Sequence, residues 1–271
     1  MSGSDERLDE LVRAVFKSVK YRNVCEDLIR HVGERELAIR RNTKEAIKAT
    51  KSKLHQVGGA YLTGNVNYAR ALDELARAAA LQDGDSLRLA CEGLMGLHVS
   101  TRERVSILDE FYATTLGEIG PVRVVLDLAC GFNPLAILWM GLDEGVEYYA
   151  CDIYMDMMDF VRESMAILGV RGKAEARDIT RSVPTQKADL ALILKTIPCL
   201  EQVEKNVGRR LLEAVNADYV LVSFPVHSLG GRSKGMVENY EARFYELVRG
   251  KGWPVRRFEF ASELAFLITK V

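Results

Sequence analysis

The 271-residue chain has no apolar run approaching the ~20 residues that span a bilayer, so no transmembrane helix is expected. It has almost no net charge. Its 37 Lys and Arg face 38 Asp and Glu, so any attraction for a polyanion must be local. Its five cysteines (Cys25, Cys91, Cys130, Cys151 and Cys199) are odd in number, scattered and never at metal-ligand spacing. That pattern points to a reducing cytoplasm and to no metal site. The opening residues Met1 to Arg7 are polar and charged, so no signal peptide is expected there. There is no internal repeat and no low-complexity segment. What is present is an ordinary globular composition, 48% hydrophobic and 28% charged, with enough apolar material for a sizeable core.

Up to about Leu116 the apolar residues recur at helical spacing, as in Leu8, Leu11, Val12, Val15, Phe16 and Val19. Further helices are expected over Cys25–His31, Glu34–Val57, Tyr68–Leu81 and Ser86–Gly96, with turns at Gly58-Gly59, Thr63-Gly64-Asn65 and Gln82–Asp85. After Val122 short apolar strands alternate with helices: Val122–Leu128, Val146–Cys151, Lys173–Ala176, Ala188–Leu194, Tyr219–Phe224, Val255–Phe260 and Leu264–Thr269. The last two lie too close for a crossover helix and should pair antiparallel. The expected architecture is α/β, a Rossmann-like parallel sheet (residues 117–271) behind a helical N-terminal domain (residues 1–116).

The most informative segment is Leu126-Asp-Leu-Ala-Cys-Gly-Phe-Asn-Pro134. A buried strand runs into a Gly turn, and Pro134 is placed to open the next helix. The next strand ends on Asp152, 21 residues beyond Gly131. A nucleoside cofactor needs both parts, a Gly that lets backbone approach it and a carboxylate for the ribose hydroxyls. The G-x-G-x-x-G of NAD sites, which seats a pyrophosphate on a helix N-terminus, is missing. One Gly with Asp127 four positions before it suits the cationic methionine tail of S-adenosylmethionine better. An ordinary α/β turn with a buried Asp is the competing reading.

From Arg35 to Lys53 seven basic residues (Arg35, Arg40, Arg41, Lys44, Lys48, Lys51, Lys53) stand against Glu36 and Glu45. Spacings of three and four put several on one helix face. Such a stripe is either a polyanion contact or a solvated helix face.

Five strings together resemble one family. They are Leu97-His-Val-Ser-Thr-Arg-Glu-Arg104, Leu108-Asp-Glu-Phe-Tyr112, Asp127-Leu-Ala-Cys-Gly-Phe-Asn-Pro-Leu135, Leu194-Lys-Thr-Ile-Pro-Cys-Leu-Glu201 and Ser228-Leu-Gly-Gly-Arg-Ser-Lys-Gly-Met236. In order and spacing they are similar to the aminoglycoside-resistance 16S rRNA methyltransferases that modify guanine 1405 at N7. The resemblance runs from about Tyr21 to the C-terminus. It departs at Thr63–Asn67, which is shorter and without Pro where some relatives have a Pro-rich link.

The resemblance implies a class I S-adenosylmethionine-dependent fold and assigns roles. Arg104 would fork onto the methionine carboxylate, as charge-assisted pairs do. Gly131 would line the methionine moiety, Asp152 take the ribose hydroxyls, and Asp178 face the adenine amine with Ile179 beside it. Lys195, Thr196 and Glu201 would stand where the target base meets the methyl group. Arg232, Lys234 and Met236 would hold a flipped base and its phosphates, making Lys195, Arg232 and Met236 the catalytic candidates. Arg40, Arg41, Lys44, Lys48, Lys51 and Lys53 would dock the rRNA backbone. For His98 and Arg102, helix packing and surface charge explain as much as a direct role.

The implied partner is 16S rRNA within the 30S subunit, in the cytoplasm, with no membrane and no metal, and nothing in the pattern demands more than a monomer. Guanine N7 carries a lone pair and no proton, so no general base is required. The absence of an Asp/Asn-Pro-Pro-Tyr string agrees, because that string commonly grips an exocyclic amine. Three other readings compete. Pro198-Cys199 sits where RNA cytosine-C5 methyltransferases place a nucleophile. A non-catalytic S-adenosylmethionine-binding assembly factor would bind rRNA without modifying it. A small-molecule methyltransferase would use the N-terminal helices as a lid.

Overall fold

The computed structural model describes residues 3–59, 66–117, 119–226 and 235–270. Seven helices come first: α1 (Gly3–Phe16), α2 (Glu26–Ile39), α3 (Thr43–Leu54), α4 (Tyr68–Ala80), α5 (Gly84–Met95), α6 (Val99–Val105) and α7 (Leu108–Leu116). A single π-helical turn, His55–Gly59, extends α3. The alternating part follows with β1 (Val124–Leu128), β2 (Glu147–Asp152), α8 (Met155–Ile167), β3 (Arg171–Ala176), β4 (Ala188–Leu194), α9 (Ile197–Val203), α10 (Val207–Ala214), β5 (Ala217–Pro225), α11 (Met236–Val248), β6 (Val255–Glu259) and β7 (Glu263–Thr269).

Among the described residues the strands form one sheet in the order β3-β2-β1-β4-β5-β7-β6. β1 to β5 are parallel; β7 runs antiparallel to both β5 and β6. The strand order reverses between β1 and β4, and in open α/β sheets ligands bind outside the carboxyl ends at such a point.

The side-chain period of two splits the core between the faces of the sheet. Val125, Leu190, Leu192, Leu194 and Leu221 pack with Leu28, Leu54, Val57 and Leu75 of the N-terminal helices. The alternate residues Leu126, Ala191, Ile193, Val220 and Val222 pack with Val207, Leu211, Phe244 and Leu247. β1, β4, β5 and β7 are mainly apolar on both faces because both are covered, which is why they read as continuous runs in the sequence; β3 and β6, at the sheet edges, are largely exposed.

Most boundaries shift by one or two residues, as at α5, β3 and β5, and the largest departure from expectation lies between α2 and α3. The helix expected over Glu34–Val57 is broken at Arg40 to Asn42, and α2 instead runs through Gly33. Gly33 is a packing glycine, since a Cβ there would lie 2.7 Å from Leu11 Cδ2 in α1. The stop is made by Asn42, whose side chain accepts the Glu45 N–H at 2.9 Å as the N-cap of α3. Arg40 and Arg41 therefore occupy a corner between two helices, and Lys44, Lys48 and Lys51 alone share the face of α3. No helix among the described residues is long and apolar enough to cross a membrane.

Candidate active site

The carboxyl ends of β1 to β4 border a pocket, in the crevice outside the strand ends where ligands bind in open α/β sheets. Asp152, Asp178, Ile179, Lys195, Thr196 and Cys199 line it, together with His98 and Ser100 of the α6 region. One wall comes from the helical part, where Leu28, Val57 and Gly58 face Ile153 and Tyr154. Sequence reasoning missed that wall. Gly58-Gly59 reads as a turn, yet a Cβ on Gly58 would come within 2.6 Å of Ile153 Cδ1 and 2.9 Å of the Tyr154 ring.

Asp152 ends β2 and reaches back to the β1 turn. Its Oδ2 accepts the Gly131 N–H at 2.9 Å and its Oδ1 the Ile153 N–H at 2.6 Å. Burial raises this carboxyl above its ordinary pKa, and the two N–H groups oppose the rise. Each oxygen keeps one lone-pair direction uncommitted by these bonds, an arrangement suited to a vicinal diol. Gly131 holds φ +52, and a Cβ there would lie 2.8 Å from the His98 ring. Burial first, then the Lys195 and Arg104 charges, push the His98 pKa down to about 4, so its imidazole is neutral at neutral pH.

Asp178 follows β3. Burial works to raise its pKa, but hydrogen bonds from His31 and Thr180 hold it below the usual carboxylate range. Ile179 is buried beside it. Asp152 and Asp178 thus offer two acceptor groups at the ends of adjacent strands, and the apolar Ile179 and Ile153 lie between the polar lining residues. These residues fit an adenosine-containing cofactor.

Lys195 follows β4 with φ 57, a left-handed conformation that costs roughly 1 kcal/mol or more for a non-Gly residue. Its Nζ is 3.0 Å from the Ser100 carbonyl, 2.9 Å from Glu103 Oε2 and 3.4 Å from Glu263 Oε2. Two hydrogen bonds and an ion pair thus hold the Lys195 side chain in place beside the pocket that it lines.

Arg104 is 1% exposed and is not among the pocket-lining residues. Its Nη2 donates to Glu263 Oε1 at 2.6 Å, its Nε to Glu263 Oε2 at 3.0 Å, and its Nη1 to Asn133 Oδ1 at 2.8 Å. Asp127 is equally enclosed, accepting from Asn133 at 2.9 Å and the Tyr148 hydroxyl at 2.7 Å, and burial lifts its pKa to about 6. The acidic residue before the Gly turn therefore braces the turn rather than facing a ligand. Glu263, which joins Arg104 to Lys195, is fully buried and lay beyond sequence reasoning, because its partner is 159 residues away.

Glu201 is on α9 and pairs with Arg243. Arg102 is exposed. Met236 opens α11, half-buried, and does not line the pocket. Arg232 and Lys234 lie outside the described residues.

At the basic corner Arg40 pairs with Glu36 at 3.1 Å, Arg35 lies 3.7 Å from Glu204, and Lys53 donates to the Gln202 carbonyl at 3.0 Å. Arg41, Lys44 and Lys48 are exposed and join no ion pair among the described residues; Lys51 is half-exposed. Among the described residues no group of three or more His, Cys, Asp or Glu is placed to hold a metal.

Known proteins match this chain over nearly its whole length. The profile of the family described as Ribosomal RNA methyltransferase (FmrO) matches residues 17–267. A 16S rRNA (guanine(1405)-N(7))-methyltransferase of Frankia casuarinae is 39% identical over 272 residues, covering 99% of this chain and 96% of that protein. One of Micromonospora rosea is 37% identical over 271 residues, covering 99% of each. The crystal structure of 16S rRNA methyltransferase RmtF in complex with S-adenosyl-L-homocysteine superposes with a TM-score of 0.80 at 32% identity, over 98% of this chain and 99% of that one. The chain belongs to the FmrO family of ribosomal RNA methyltransferases.

Proposed function

We propose that this protein methylates N7 of guanine 1405 of 16S rRNA in the 30S subunit, with S-adenosylmethionine as donor, and so confers aminoglycoside resistance. The observation that carries the reading is the convergence of Asp152, Asp178 and Lys195 on one pocket, walled by the same helical part that bears the exposed Arg41, Lys44 and Lys48. Residues 1–116 are the rRNA-docking part and residues 117–271 the methyl-transferring part. The relatives that match across nearly the whole chain carry the name of that activity.

S-adenosylmethionine supplies a methyl group on a cationic sulfur. Asp152 and Asp178 hold the nucleoside, and Gly131 lets backbone approach the methionine end. Arg104 would serve the methionine carboxylate through the two N–H groups that Glu263 and Asn133 leave over. Guanine N7 needs no proton removed, which matches a Lys195 ammonium locked among three oxygens. The work is alignment and exclusion of water. The target guanine lies within a helix, so it is flipped out at a few kcal/mol of unstacking, with Arg232, Lys234 and Met236 receiving it. Incubation with 30S subunits and labelled S-adenosylmethionine, followed by borohydride–aniline cleavage, should give one cut at guanine 1405. Label without that cut would overturn the assignment of atom and site, and no label would favour a binder without turnover.

Cys199 lines the pocket, which is the one observation that favours cytosine-C5 chemistry. Its Sγ, however, is turned toward the Lys195 carbonyl at 3.6 Å. Cys199→Ser is expected to keep at least half of the wild-type rate, because a hydroxyl preserves that contact. A folded Cys199→Ser protein without activity would revive the nucleophile reading.

A further inference from the structure

Two contacts tie α2 and the residues before it to the segments that follow β2 and β3. Residues 23–25 pair antiparallel with the segment after Asp152: the Cys25 N–H donates to Ile153 O at 2.8 Å and the Met155 N–H to Asn23 O at 2.7 Å. Two turns further along α2, His31 comes down on Asp178. The imidazole is 3% exposed, with Nδ1 2.9 Å from Asp178 Oδ2 and 3.1 Å from Thr180 Oγ1. An ionised carboxylate only accepts, so the Nδ1 proton faces it. Asp178 Oδ1 takes the Thr180 N–H at 2.9 Å and the Thr180 hydroxyl at 2.6 Å. Three of about four acceptor positions on the carboxylate are thereby filled. The remaining one, on the oxygen that His31 grips, is available to the pocket that Asp178 lines.

We propose that His31 is a positioning residue: from the helical part it sets the Asp178 carboxylate so that its one open acceptor position meets the exocyclic amine of the adenine ring. This rests on the reading of the pocket as an adenosine site. It makes the N-terminal helices part of cofactor recognition as well as of rRNA docking. Without the His31 bond, only the two Thr180 bonds on Oδ1 orient the carboxylate, and Oδ2 has two open positions of which neither is singled out for the amine.

The test compares two probes by calorimetry on the full chain, S-adenosylhomocysteine and its inosine counterpart, in which an oxo group replaces the amine. The wild type should prefer the adenosine form by about tenfold or more, the worth of one charge-assisted hydrogen bond. His31→Phe should bring that preference to within about threefold of unity. His31→Asn, whose amide nitrogen falls near the Nδ1 position, should retain it, and His31→Gln, which reaches the Nε2 position instead, should not. A general loss of packing would weaken both probes alike and leave the ratio unchanged. If the wild type shows no preference, the adenine reading of Asp178 fails and the proposal with it. If the wild type discriminates and His31→Phe does so equally, the His31 role is overturned while the adenosine site stands. Should His31→Phe not fold, equal ratios in His31→Asn and His31→Gln overturn it in the same way.

Discussion

Asp152→Ala is expected to lower affinity for S-adenosylhomocysteine by about a hundredfold or more and to abolish methyl transfer at ordinary cofactor concentrations. A hydrogen bond to a charged group contributes about 1.5–3 kcal/mol, and on the proposed reading each carboxylate oxygen would accept one ribose hydroxyl. Two such bonds amount to about 3–6 kcal/mol, and each 1.4 kcal/mol is about tenfold in affinity. The same substitution leaves the Gly131 and Ile153 N–H groups without the oxygens that now accept them at 2.9 and 2.6 Å. Those bonds hold the β1 turn against the end of β2, so the turn should loosen as well. Asp152→Asn should fall between, since its amide keeps one acceptor and sets a donor where the other is needed. Titration calorimetry, with thermal unfolding of the ligand-free proteins as a control, reads both effects. An affinity within threefold of wild type in a folded Asp152→Ala protein would remove Asp152 from the cofactor site.

The residues that the sequence made legible are those whose partners are near in the chain or fixed by the sheet. β1, β4, β5 and β7 stand out because two covered faces leave mainly apolar runs, and the spacing from Gly131 to Asp152 follows from the parallel register of β1 and β2 across a short 3-10 helical crossover, Asn133–Trp139. Contacts between distant parts left no local mark. Arg104 looks like a ligand-binding arginine in its string, yet its nearest partner is Glu263 at the start of β7. Gly33 looks like a helix stop, whereas it is the point at which α2 crosses α1. The true stop carried a readable sign, the Asn42 and Glu45 pair of a helix N-terminus, which the run of basic residues obscured. His31 had no sign at all, since what gives it a role is Asp178, 147 residues away.

The combined reversal Arg41→Glu, Lys44→Glu and Lys48→Glu is expected to abolish 30S binding at physiological salt while leaving S-adenosylhomocysteine affinity unchanged. These three side chains are exposed and none lines the pocket, so cofactor binding has no reason to respond. Arg40 and Lys53 are left intact because Glu36 and the Gln202 carbonyl already engage them. Each phosphate contact contributes about 0.7–0.9 to the slope of log affinity against log salt. Losing three should flatten that slope by about 2–3, and the added repulsion should weaken binding by about a hundredfold or more at low salt. Cofactor affinity and the salt slope together separate the competing roles of the N-terminal helices. If these helices were only a lid over the cofactor pocket and rRNA docked elsewhere on the protein, reversing charge at a corner about 20 Å along α3 from Val57 would change neither quantity, and rRNA binding would persist with its slope intact. That result would end the docking role of α3, and the helical part would then matter only through the wall that Leu28, Val57 and Gly58 build against the cofactor pocket.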